Sequence, residues 1–147
     1  MINFDDAELV LKKLHFLFHA KKGFNISSDS LIQYEGEIVY NYFHGKAWYN
    51  LAVNLDFTLD GEALEKGCAY LNPDEFKNYF PLYIYASLIN NEGWAFEFSF
   101  FHHYLIPGVM EERVFFDFVD GFTEKQKEII YNFIRYKAEI KKDLMAM

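Results

Sequence analysis

Asn72-Pro73-Asp74-Glu75-Phe76-Lys77-Asn78-Tyr79-Phe80-Pro81-Leu82-Tyr83-Ile84-Tyr85-Ala86-Ser87-Leu88 opens with the signals that start a helix and continues with the spacing that buries one. Asn72 is a good N-cap. Pro73 stands at the first helical position, where its missing N–H costs nothing, and Asp74 and Glu75 complement the positive end of the helix dipole. Phe76, Phe80, Tyr83, Ile84 and Leu88 follow at spacings of 4, 3, 1 and 4, one stripe that runs on through Pro81. Pro81 predicts a kink, and Asn90-Asn91-Glu92-Gly93 predicts the end. A kinked central helix over 72–90 therefore organises a mainly α fold.

On the N-terminal side, Leu64, Cys68 and Leu71 predict a short helix over 59–71, and Trp48, Leu51, Ala52 and Leu55 another over 46–56 with Trp48 as a core anchor. Residues 24–44 show no sustained period and read as a structured loop, with a short extended piece at 37–42. Val10, Leu14, Leu17 and Phe18 lie on one face of a helix over about 5–22, closed by Lys21, Lys22 and Gly23. On the C-terminal side, Trp94, Phe96, Phe98 and Phe100 alternate with Ala95, Glu97 and Ser99. That period alone predicts a strand over 94–100 and makes α+β the alternative class, although Phe101, Tyr104 and Leu105 suit a helix. Residues 109–122 are a short apolar stretch ending in a turn at Asp120-Gly121. Thr123 and Gln126 then form a capping-box pattern with Phe122 before it, and Ile129, Ile130, Phe133 and Ile134 carry the stripe of a helix over 123–142. The sum is one domain over 1–147, a bundle of about five to six helices.

The chain has 147 residues, 52% of them hydrophobic and 20% aromatic, enough to bury a core without disulfides or metals. Its single cysteine, Cys68, reads as a small buried apolar residue and suits a reducing compartment. No run is long and apolar enough to span a bilayer, and no signal pattern opens the chain, so a cytoplasmic location is expected. The net charge of −8 is uneven: −1 over residues 1–53, −10 over 54–124 and +3 over 125–147. An acidic middle repels nucleic-acid phosphates and anionic lipid and attracts basic partners.

Two segments together resemble an uncharacterised bacterial family of small domains of unknown function: Tyr70-Leu71-Asn72-Pro73-Asp74-Glu75-Phe76 with Tyr79-Phe80-Pro81-Leu82-Tyr83, and Phe118 with Phe122-Thr123-Glu124-Lys125-Gln126-Lys127. The resemblance spans roughly residues 45–136, places Trp48 near a family tryptophan, and implies a predominantly helical fold, with 94–105 helical too. It supplies no catalytic residue. In size, charge and aromatic content the chain is also similar to bacterial toxin-immunity proteins.

The residues themselves offer little catalysis. His15 and His19 stand four apart on the expected helix and could share a face, but Phe16-Leu17-Phe18 between them lacks the glutamate of a zinc-hydrolase motif. His102 and His103 are adjacent and diverge, and Glu111-Glu112 reads as a solvated pair rather than an acid–base dyad. No serine or cysteine stands in a nucleophile turn, and no glycine-rich phosphate loop is present. Neither a cofactor nor a metal is expected. The expected activity is binding: an immunity protein, as in contact-dependent inhibition systems, that neutralises a cognate protein toxin with a basic, nuclease-type surface. The alternative is a helical scaffold or homo-oligomerising module. The expected contact residues are Asp60, Glu62, Glu65, Glu92, Trp94, Tyr104, Glu111, Glu112 and Asp117, acids and aromatics of the middle segment that packing leaves unexplained.

Overall fold

In a computed structural model, residues 2–28, 34–105 and 118–146 are described, without the side chains of 141–146. These residues form seven α-helices, one π-helical turn and a further helical piece at 118–120, and no strand. They are α1 (Ala7–Leu17), α2 (Tyr34–Phe43), α3 (Trp48–Val53), α4 (Phe57–Tyr70), α5 (Pro73–Leu88), α6 (Phe96–Phe100) running into the π-turn Phe101–Leu105, and α7 (Glu124–Ala146).

α5 is the centre. Asn72 accepts from the Glu75 N–H at 2.8 Å while the Glu75 carboxylate accepts from the Asn72 N–H at 2.9 Å, a reciprocal cap that satisfies two orphan donors. The Glu75 carboxylate also accepts from the Ser27 N–H at 2.6 Å, which ties the preceding loop to the helix start. From Phe76 to Ser87 almost every side chain is buried, the pattern of a helix surrounded by others. The helix runs on through Pro81, which has no N–H to offer the Lys77 carbonyl. Packed around it are α1, α3, α4 and α6. Its two central tyrosines find acceptors inside the core. The Tyr79 hydroxyl lies 2.7 Å from the Phe43 carbonyl and 2.8 Å from that of Lys46, and the Tyr83 hydroxyl donates to the Leu64 carbonyl at 2.5 Å. Burial raises the pKa of both phenols, so they remain donors.

Trp48 and Cys68 are core residues, as expected, and burial likewise raises the Cys68 thiol pKa. α3 and α4 match their expected places to within a few residues. The Thr123–Gln126 box is formed, and α7 extends past 142 to Ala146. The Gln126 side chain also donates to the Leu17 carbonyl at 2.9 Å, so one residue caps α7 and satisfies an orphan carbonyl of α1.

Three expectations are corrected. Residues 34–43 form α2 rather than a loop with an extended piece: Gly36, Val39 and Phe43 are buried at helical spacing, and the helix packs against α4. α1 ends at Leu17 rather than near 22, because Phe18 takes extended backbone and turns its ring into the core against Phe122. Residues 96–100 are helical rather than a strand: Phe96, Phe100 and Tyr104 are buried four apart, while Phe98 points to solvent. The apolar stretch 109–122 lies outside the described residues up to 117; at its end, Phe118 and Phe122 are buried and in ring contact.

Candidate functional site

Acids gather on α2 and α4, two helices packed side by side: Glu35 and Glu37 come from the first segment, and Asp56, Asp60, Glu62 and Glu65 from the acidic middle one. Residues 34–43 and 56–70 hold six acids and one base, Lys66. Lys66 is taken by Glu35 at 3.1 Å, and the Tyr70 hydroxyl donates to the same carboxylate at 2.8 Å. The Tyr70 hydrogen bond, followed by Lys66, holds the Glu35 carboxyl below its ordinary pKa. The other acids form no ion pair among the described residues, and Lys66 feels the charges of Glu65 and Glu62 only at longer range.

α4 is capped at its start by Asp56, whose carboxylate accepts from the Thr58 N–H at 3.0 Å. The Asp60 carboxylate reaches back to the Asp56 N–H at 3.0 Å, and its charge, after burial, helps keep the Tyr42 hydroxyl protonated. Glu62 is exposed and Glu65 half-buried, one turn beyond Gly61. A methyl group at Gly61 would come within 2.9 Å of the Trp94 ring, so the indole lies directly on the α4 backbone. Asn90 fixes the Trp94 main chain from both sides, accepting from its N–H at 2.9 Å and donating to its carbonyl at 3.1 Å. Trp94 is thereby held against the helix that carries Asp60, Glu62 and Glu65. Glu92 is exposed in the connection between α5 and α6.

Tyr104 does not belong to this surface. It is 5% exposed and stacks on Phe76 with ring centroids 3.7 Å apart, because the π-turn points it inward above Phe100. Glu111, Glu112 and Asp117 lie outside the described residues. Two side chains that the sequence reading missed do belong: Leu59, 79% exposed on α4, and Phe98, 74% exposed on α6, which packs on α4. Leu59 stands five residues before Leu64, off the stripe that buries Leu64 and Cys68, and that offset was its only signal.

Glu97, amid the aromatics, is structural. Its carboxylate meets the Lys137 ammonium at 3.0 Å, the Ser87 hydroxyl at 2.9 Å and the Asn90 amide at 2.8 Å, pinning α6 and α5 to α7. The histidine pairs do not converge. His15 stacks on Tyr49 at 3.8 Å while His19 lies beyond the end of α1. His102 stacks on Phe98, and the His103 Nδ1 sits 2.8 Å from the Ser99 carbonyl. Among the described residues no group of three or more His, Cys, Asp or Glu could hold a metal ion, and no helix is long and apolar enough to cross a membrane. Comparison with family models, curated proteins and solved structures yields no match to this chain.

Proposed function

We propose that the protein is a non-enzymatic, single-domain binding protein of the cytoplasm that neutralises a cognate basic toxin of nuclease type, in the manner of an immunity protein. The observation that supports this reading is the α4 surface. Asp60, Glu62 and Glu65, which form no ion pair among the described residues, share α4 with exposed Leu59; the anchored Trp94 lies against that helix, and Phe98 stands on the neighbouring one. A nuclease cleft is cationic because it binds phosphates. Carboxylates on a rigid helix can replace those phosphates and accelerate encounter, while apolar side chains among them supply the desolvated contacts that slow dissociation.

The test is to read the gene beside this one for a toxin domain and, with that domain purified, to follow association by stopped flow over a range of salt concentrations; a neighbouring gene without one counts against the reading. Glu62→Lys combined with Glu65→Lys is expected to slow association about tenfold or more at low ionic strength and to flatten its salt dependence. Unchanged rates at every salt concentration would remove α4 from the interface. The alternative, a homo-oligomerising scaffold, requires self-association of the chain alone; sedimentation showing a monomer counts against it.

A further inference from the structure

A second polar feature takes none of its lining from α2 or α4 and has the opposite sign. Where the chain leaves α1, a cavity of about 240 Å³ is walled by His19 and Lys21 on one side, by Asp74, Lys77 and Asn78 of α5 on another, and by the turn at Gly121 with the first turn of α7 on the third. In a chain of net charge −8, two lysines face one space and neither forms an ion pair with the described residues. The Lys77 ammonium is held over the rings of Phe118 and Phe122, at 5.7 and 5.4 Å from their centroids. Gly121 leaves room for it, since a Cβ there would collide with the Lys77 ammonium. The Asn78 amide nitrogen is buried and has no acceptor, an arrangement that costs stability unless something supplies one. The N-terminal end of the long α7 adds the positive end of its dipole.

We propose that this cavity binds a phosphate group, as free phosphate or as a phosphate monoester, with Lys77 and Lys21 neutralising its charge and Asn78 donating to one oxygen. The asymmetry of the walls selects that chemistry. Asp74 repels every anion in proportion to its charge, as the two lysines attract it, so the net cationic field draws a dianion more strongly than a singly charged carboxylate; phosphate also has oxygens enough for donors arriving from three directions. Lys77 is the anchor, because its rings hold the ammonium in place before the ligand arrives.

The test is titration of the full-length chain with inorganic phosphate, with O-phosphoserine and with acetate at fixed ionic strength, followed by calorimetry and amide chemical shifts. Saturable phosphate binding is expected, with acetate failing to compete. A preference for O-phosphoserine over inorganic phosphate would assign the site to monoesters, and the reverse to the free ion. Lys77→Met keeps the apolar stem on the rings and is expected to weaken phosphate binding about tenfold or more, as loss of a charge-assisted hydrogen bond does. Gly121→Ala retains the charge but displaces the ammonium, and is expected to weaken binding in the same direction. Asp74→Asn should instead tighten binding several-fold, a gain that no loss of folding can imitate. The proposal is overturned if the wild-type chain shows no saturable phosphate binding, if acetate binds as well, or if neither Lys77→Met nor Asp74→Asn moves the affinity.

Discussion

Two aromatic-rich stretches, 72–88 and 94–105, have similar composition and fold into adjacent helices, yet only one is readable as a helix from its sequence. The first has a start signal, Asn72-Pro73-Asp74-Glu75, that the structure uses as a reciprocal cap. The second has none. Ala95 stands at the cap position of α6 without a side-chain hydrogen bond. Its pattern is also ambiguous in principle, because an alternation of period two and a helical stripe both place apolar residues four apart. Phe96, Phe100 and Tyr104 satisfy either. Phe98 decides: a strand would put it beside Phe96 and Phe100, whereas the helix turns it outward. Boundary chemistry therefore carries information that periodicity alone does not.

The largest expected effects make the two stretches equal. Phe76 and Phe100 are both fully buried, and their rings lie 5.9 Å apart in one cluster. Phe76→Ala and Phe100→Ala are each expected to cost about 3–5 kcal/mol, read by urea unfolding. Because they touch, the double mutant should cost less than the sum of the two. Strict additivity would mean that the two helices do not share a core.

Next come the two glycines by which α4 receives one side chain from each stretch. A Cβ at Gly67 would meet the Phe43 ring at 2.9 Å and the Tyr83 hydroxyl closer still, both in the packed interior. Gly67→Ala is expected to destabilise by about 1–3 kcal/mol despite the better helix propensity of alanine. At Gly61 the obstacle is the half-buried Trp94 ring, which can shift outward, so Gly61→Ala is expected within about 1 kcal/mol of wild type, strain and propensity nearly cancelling. Trp94 fluorescence should shift in Gly61→Ala and not in Gly67→Ala.

What was legible follows the same rule. α5 and α7 carry capping residues in the order the physics demands, and both were placed from sequence with their caps. α2 shows no capping signal of that kind, and residues 24–44 show no sustained apolar period. Its stability comes from packing on α4, which no local pattern reports. α1 was drawn too long because Phe18 continues the apolar stripe; only the tertiary contact with Phe122 shows that it does so in extended backbone. Of the expected contact residues, Asp60, Glu62 and Glu65 stand on α4 and Trp94 lies against it. Tyr104 was misplaced because an aromatic residue looks the same to sequence whether it is an anchor or core. The cationic cavity was invisible, since its walls come from residues 19–21, 74–78 and 121–126.

A smaller effect probes the start signal itself. Asn72→Ala removes the acceptor for the Glu75 N–H and is expected to cost about 1 kcal/mol, with Thr123→Ala at α7 similar. Hydrogen exchange should quicken at the Glu75 amide in the first variant and at the Gln126 amide in the second. Equal protection before and after would show that packing alone holds these helix ends.

The smallest effect on stability discriminates best between the two ways of reading 94–105. Phe98 is 74% exposed, so Phe98→Ala is expected to change unfolding free energy by no more than about 0.5 kcal/mol. A strand reading predicts a loss comparable to that of Phe100→Ala, because 96, 98 and 100 would then share the core face. Stability that stays put while affinity for the cationic partner falls would separate the two roles of this aromatic run, with Phe96 and Phe100 holding the fold and Phe98 facing outward beside the acids of α4. A large, equal loss in Phe98→Ala and Phe100→Ala would return the segment to a strand and take Phe98 out of the proposed surface.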